Sequence, residues 1–207
     1  GEDQYNKFRD VMLKYYTPKI PSKNHPGLLS TLLWGSLSSD EMVNRINRYK
    51  ENGAKFEEYW VDAAWNGRFA ASQNNFDTTW ADEIGDWEAK KDCHPDNFKN
   101  VVDAAHDAGA GFLLWFEIEH ATAVTPIFSE HPEYFIQNGD RYMLLDLGNE
   151  EAWNYAFNTL STRFREYNVT CYRQDFNTPC DGPWEFADKE GRRGITEIYH
   201  ISGLYRL

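Results

Sequence analysis

Val169-Thr170-Cys171-Tyr172-Arg173-Gln174-Asp175-Phe176-Asn177 is a β-branched and aromatic run that delivers a carboxylate where its pattern stops. It reads as a buried strand. In a barrel of alternating strands and helices, that end of a strand is where chemistry is done. Arg173 and Asp175 are two residues apart, so a strand points both to one side, and the cation keeps the carboxylate ionised. Such a carboxylate is a nucleophile or a ligand for developing positive charge; the competing reading is a structural ion pair at a strand end.

Outward from this run the chain alternates. Residues 150–167 form an amphipathic helix that feeds it, and residues 111–116 form an earlier strand, preceded by a helix over 96–108 that stops at Gly109. Further upstream, residues 55–61 read as a strand, as do residues 28–34. Between them Ser38 or Ser39 caps a helix that carries Met42, Val43 and Ile46, has acidic residues in its first turn, and ends near Asn52-Gly53. Residues 4–16 read as a helix, and residues 17–27, with three prolines and a glycine, as a linker. Residues 62–95 are too long for a simple connection and read as a functional lid or rim. Residues 121–145 read as a short helix and a hairpin around Asn138-Gly139, residues 179–194 as loop, and residues 195–207 as the start of another helix.

Strict alternation of strand and helix means a parallel sheet. The strands begin near residues 28, 55, 111 and 169. Eight units at this pace of roughly 50 residues need about 400 residues, which is within the range of (β/α)8 barrels. The expected fold is therefore α/β, a TIM-type (β/α)8 barrel of which about the first four βα units are present. The expected domains are an N-terminal helix and linker, 1–27, and a partial catalytic barrel, 28–207. An open doubly wound sheet is the alternative, but its phosphate-binding glycine motif is absent.

Composition narrows the partner. The net charge is −12 over 207 residues, which argues against nucleic acid and against an anionic membrane surface. Eight Trp, twelve Tyr and thirteen Phe, several beside acids or amides, suit a neutral partner that offers flat apolar faces and hydroxyls, as sugars do. Cys93, Cys171 and Cys180 have no metal spacing and make no disulfide scaffold. No targeting segment or membrane span is legible, so the compartment stays open.

At the strand ends stand Trp34, then Asp62, then Glu117 with Glu119, then Arg173 with Asp175. Carboxylates gathered beside tryptophan walls are what glycosidic-bond cleavage requires. Asp62 has a second reading as a loop cap. Glu117 and Glu119, two apart, are expected to share a face. With His120 they form a sparse metal pattern, and neither metal nor cofactor is expected. His94, His106 and His131 are expected to face solvent or to cap helices.

The runs Tyr59-Trp60-Val61-Asp62-Ala63-Ala64-Trp65, Trp115-Phe116-Glu117-Ile118-Glu119, His131-Pro132-Glu133, Leu144-Leu145-Asp146-Leu147-Gly148-Asn149 and Arg173-Gln174-Asp175-Phe176-Asn177 follow one another in an order that resembles glycoside hydrolase family 36. This is the α-galactosidase family of clan D, whose catalytic (β/α)8 barrel acts with retention. The resemblance implies that Asp175 is the catalytic nucleophile, that Asp62 grips sugar hydroxyls, and that Arg173 stands at a sugar-binding lysine position. Trp34 and Trp115 match pocket walls, and Trp65, Glu117 and Asn177 fall in the substrate-binding set. Three positions depart from the pattern: Ala63 replaces a second pocket aspartate, Ala64 a glycine, and Ile118 the proline of Trp-x-Glu-Pro-Glu. The resemblance places the acid/base residue on a later strand. The implied function is a retaining hydrolase of terminal α-linked sugars, most like an α-galactosidase. The alternatives are an α-glucosidase-like or glycosyl-transferring barrel and a non-catalytic carbohydrate-binding barrel. The expected partners are an oligosaccharide or glycoside, together with either a second copy or the remainder of the same barrel.

Overall fold

The computed structural model describes residues 2–16, 29–68 and 80–207. The expected linker over 17–27, the first residue of the expected first strand and part of the expected rim, 69–79, lie outside the described residues. The chain opens with α1 (Glu2–Val11) and a π-helical turn (Met12–Tyr16), on which Tyr5, Phe8, Tyr15 and Tyr16 are exposed. Strand β1 (Ser30–Leu33) leads to α2 (Ser39–Glu51), then β2 (Glu58–Val61), α3 (Lys99–Asp107) and β3 (Gly111–Phe116). An excursion follows through β4 (His120–Thr122), α4 (Pro126–Glu130), β5 (Phe135–Ile136) and β6 (Tyr142–Leu145). The chain then returns through α5 (Glu150–Glu166), β7 (Cys171–Gln174), α6 (Asp181–Ala187) and α7 (Ile195–Arg206).

Four strands form one parallel sheet in the order β1-β2-β3-β7. The register aligns Leu33 with Val61, Val61 with Leu114, Leu114 with Tyr172, and Trp115 with Arg173. Because side chains alternate along a strand, Tyr59, Val61, Phe112, Leu114 and Phe116 share one face, and Leu32, Trp60, Trp115 and Arg173 the other. The first face is closed by helices: Met42 and Ile46 of α2, Val101 and Ala105 of α3, and Ala152, Ala156 and Leu160 of α5 are all buried.

Local chemistry explains the boundaries. Ser38 caps α2 through a reciprocal capping box: its hydroxyl accepts from Glu41 N–H at 3.3 Å, and the Glu41 carboxylate accepts from Ser38 N–H at 3.0 Å. Gly53, at φ +70°, takes the left-handed turn just past the helix end. Helix α3 begins three residues later than the apolar pattern suggests, because Asn97 and Phe98 adopt positive φ. This places the Phe98 ring against His94, with centroids 4.0 Å apart.

Three expectations are corrected. Residues 121–145 contain the expected short helix and hairpin, and β4 adds to them to make a three-stranded antiparallel sheet in the order β4-β6-β5. Three residues are too few for β4 to show a period. The stretch 179–194 is not all loop, since α6 forms with Pro183 in its first turn, where a missing N–H costs nothing, and Trp184 packs against Ile136, Leu144 and Cys180. His94 is fully buried instead of facing solvent: its ring joins the Ser39 hydroxyl and the Gly35 carbonyl, each at 2.9 Å, and burial pushes its pKa down to about 4.

The described part of the rim is braced. Asn66 bridges to Ala89, and its amide donates to the carbonyls of Glu83 and Asp86 at 3.1 and 2.8 Å. Lys90 and Glu83 form an ion pair with both side chains buried. Breaking such a pair by removing one partner leaves an uncompensated charge inside the protein, so it holds this segment to one arrangement. No described helix is long and apolar enough to cross a membrane.

Candidate active site

Asp175 follows directly on the last register pair of β7, and its N–H still bonds to Phe116 O at 2.9 Å, which extends the strand geometry by one residue. Arg173 therefore lies on the same side, with its guanidinium 3.2 Å from Asp175 Oδ1 and 5.7 Å above the Trp60 ring. The other oxygen, Oδ2, accepts from Trp115 Nε1–H at 3.0 Å and from the Asn177 amide at 3.1 Å. Partial burial raises the Asp175 pKa, but the bonds from Trp115, the Phe176 N–H and Asn177, together with Arg173, outweigh it and hold the carboxyl below its ordinary value. The result is an anion that keeps 30% of its side chain open to solvent.

Asp62 stands at the end of β2, where its N–H bonds to Leu33 O at 2.7 Å and its Oδ1 accepts from Ala63 N–H at 2.7 Å. Its pKa is raised, first by burial and further by the negative charge of Asp175, against the pull of the Ala63 bond and Arg173. The two carboxyls thus feel each other across the strand ends, and their environments push their pKa values in opposite directions.

Trp34, at the end of β1, begins a file of aromatic rings. It meets Trp80 at 6.0 Å, Trp80 meets Trp115 at 5.7 Å, and Trp115 meets Trp87 at 5.9 Å. Trp34 and Trp80 are only partly buried and offer faces for a ligand. Trp80 stands in this file and is not among the residues the sequence singles out; its one signal is a tryptophan within the rim. A cleft of about 430 Å³ beside Asp175 is bounded by Arg173, Phe176, Trp184, Ile201 and Leu204. A larger opening of about 580 Å³, at Arg45, Arg48, Tyr49 and Asn52 of α2, contains none of these groups.

The structure corrects several expected roles. Trp65 does not line the pocket: it is fully buried, edge-on to Phe98, Phe116 and Tyr167, with its indole N–H on Trp115 O at 2.8 Å. The Trp115 ring is covered by Trp80 and Trp87, so it supports Asp175 through its N–H and is not an open wall. Glu117 is also fully buried, and both of its oxygens accept from Asn177. Glu117 and Glu119 do not share a face. The chain turns after Phe116, which breaks the two-residue alternation, and Glu119 goes to Gln174 and, at 2.6 Å, to His200 Nε2. His120 meets Glu117, with Nδ1 3.1 Å from Oε1, while Glu119 points away from both to Gln174 and His200.

A strand-end carboxylate held by four donors beside a tryptophan file can be compared with known proteins. The model of the family described as Melibiase matches residues 4–207. The chain belongs to the Melibiase family. Among relatives, Alpha-galactosidase 1 of Pediococcus pentosaceus is 26% identical over 133 residues, which are 60% of this chain and 18% of the relative. Alpha-galactosidase Mel36A of Lactobacillus acidophilus is 24% identical over 182 residues, 82% of this chain and 23% of the relative. Among solved structures, the GH36 alpha-galactosidase AgaA of Geobacillus stearothermophilus, as a variant in complex with 1-deoxygalactonojirimycin, superposes with a TM-score of 0.70 at 20% identity. The match covers 87% of this chain and 25% of that one. Other variants of that enzyme have been solved with stachyose and with raffinose.

As a Melibiase-family chain it spans about a quarter of the length of these relatives, between 18% and 26% for the curated ones. Its four parallel strands match part of the (β/α)8 barrel fold of solved GH36 alpha-galactosidases. In such a barrel the face that carries Trp60, Trp115 and Arg173 is the interior, and Asp175 lies at its C-terminal mouth.

Proposed function

We propose that this chain is the part of a retaining α-galactosidase-type glycosidase that supplies the nucleophile. The single observation that carries the reading is the Asp175 carboxylate: ionised, half-open, and oriented by Arg173, Trp115 and Asn177 at a strand end. In the reaction, an Asp175 oxygen attacks the anomeric carbon, the glycosidic bond breaks, and a covalent glycosyl-enzyme forms through an oxocarbenium-like transition state; water then releases the sugar. Arg173 and Asp62 hold hydroxyls, and Trp34 with Trp80 packs the apolar face of the ring. The substrate class is an α-galactoside or oligosaccharide, supported by the alpha-galactosidase relatives.

Retention also needs a proton donor about 5 to 5.5 Å from the nucleophile. Glu117 and Glu119 are buried and committed to Asn177, Gln174 and His200, so neither supplies that proton, and the resemblance to glycoside hydrolase family 36 assigns the donor to a later strand of the barrel. Residues 28–207 are then a portion of the catalytic barrel, preceded by a helix and linker over 1–27. The partner that completes the site is the remainder of that barrel.

The test is to trap the full-length enzyme with a fluorinated α-galactoside and map the labelled peptide by mass spectrometry. The label belongs on Asp175. Asp175→Ala lowers turnover by roughly four orders of magnitude with the fold intact, as loss of covalent catalysis does. A label on Glu117 or Glu119 overturns the assignment.

A further inference from the structure

The turn that follows β3 does more than join two elements, because five of its contacts meet the segment that carries Asp175. Phe116 O accepts Asp175 N–H at 2.9 Å. Glu117 Oε1 accepts Asn177 N–H at 2.9 Å, and Glu117 Oε2 accepts the Asn177 amide at 2.7 Å. The His120 ring lies 4.9 Å from the Phe176 ring, and Glu119 accepts from the Gln174 amide. Residues 174, 175, 176 and 177 are thus each fastened to the stretch 116–120.

The Asn177 amide is the central link. One of its N–H groups meets Glu117 Oε2, and the other meets Asp175 Oδ2 at 3.1 Å. Two carboxyl groups face this amide, so only the NH2 end can satisfy both, and a reversed amide would set its carbonyl against them. Glu117 has no solvent exposure and cannot touch a sugar. Its remaining close neighbour is His120 Nδ1, 3.1 Å from Oε1. Asn177, by contrast, is exposed and stands at the site.

We propose that Glu117 and Asn177 are positioning residues for the nucleophile: Glu117 fixes the Asn177 amide from beneath, and Asn177 fixes the direction of Asp175 Oδ2. The inference rests on the reading of Asp175 as nucleophile and gives Glu117 and Asn177 a role other than sugar binding. A small rotation of an attacking carboxylate away from the anomeric carbon costs rate without costing affinity. The arrangement therefore acts on kcat more than on KM.

The experiment uses the full-length enzyme and a nitrophenyl α-galactoside, with Asp175→Ala, Asn177→Ala, Glu117→Gln and the Glu117→Gln/Asn177→Ala double variant. Asn177→Ala lowers kcat by about 10- to 100-fold with KM changed less than about threefold. It also moves the acid limb of kcat/KM to higher pH, because Asp175 loses a donor to its charged form while Asp62 and Arg173 still face it. Glu117→Gln gives a smaller loss of the same kind. Added to Asn177→Ala, it costs less than about twofold more, because Glu117 acts through Asn177. A purely structural role would leave the acid limb in place. Full additivity of the two substitutions overturns the proposal, as does an unchanged kcat and acid limb in Asn177→Ala while Asp175→Ala is inactive. Should Glu117→Gln not fold, the exposed Asn177→Ala decides through the acid limb alone. Full turnover by Asp175→Ala removes the nucleophile reading instead, and is told apart by that variant.

Discussion

One face of the parallel sheet is finished and the other is open, although the same four strands build both. On the helix side Tyr59, Val61, Phe112, Leu114 and Phe116 are fully buried under α2, α3 and α5. On the opposite side Leu32 is 60% exposed and Cys171 and Arg173 are half-buried, although Leu113 and Trp115 of β3 are covered. The helix side is closed by elements contributed locally, each helix being the crossover between neighbouring strands. A barrel interior is closed by strands on its far side, which come from distant sequence. Stability in this chain should therefore reside on the helix face, while the candidate site lies at the rim of the interior face.

The largest expected effect comes from the closed side. Trp65 joins Phe98, Phe116 and Tyr167 in one aromatic nest, and Trp65→Ala should destabilise by about 3–5 kcal/mol in denaturant unfolding. A loss below about 1 kcal/mol would show that the helix side is not the stable half.

The second effect is a pH dependence. His94 is buried in its neutral form with its pKa lowered to about 4, against 6.5 for the free side chain. Below pH 6.5 the unfolded chain binds a proton that the folded chain refuses until about pH 4, so stability is full above 6.5 and falls across that window. The loss amounts to about 3 kcal/mol. Unfolding curves from pH 7 to 4 measure it, and the same series on His94→Gln should lack this slope.

A smaller effect has the opposite sign. Ala64 holds φ +75°, a left-handed conformation that costs an L-residue about 1 kcal/mol or more, and that glycine adopts freely. Ala64→Gly should raise stability by about 1 kcal/mol. The smallest effect falls on the open face: Leu32→Ala should change the stability of this chain by less than about 0.5 kcal/mol, because little area is lost from a site already exposed. If the complete barrel covers Leu32, the same substitution there should cost about 2 kcal/mol or more. Equal losses in both settings would break the contrast between the faces.

Part of this was legible in the residues. The alternation of apolar runs and caps located the four strands, and residues 111–116 are β3 at both ends. Ser38 and Glu41 announced the start of α2. The spacing of Arg173 and Asp175 placed a cation beside the carboxylate, as found. The replacement of glycine by Ala64 in the motif coincides with a backbone position that favours glycine.

What the sequence by itself determined is what depends on neighbours in the chain: period, caps, turns, and the side to which a strand residue points. These follow from backbone geometry within a few residues. The destinations of Trp65, Trp80, Trp115, Glu117 and His94 were decided only by the tertiary structure. A tryptophan carries the same apolar surface whether it fills a core or faces a sugar, and a glutamate the same carboxyl whether it bonds to substrate or to Asn177. The choice turns on which distant segment covers it. The turn after Phe116 sends Glu117 and Glu119 in different directions, and the packing of the rim over β3 closes Trp65 and Trp115 while leaving Trp34 and Trp80 partly open. Burial is a property of the assembled fold, and it separates the residues that can meet a ligand from those that hold them in place.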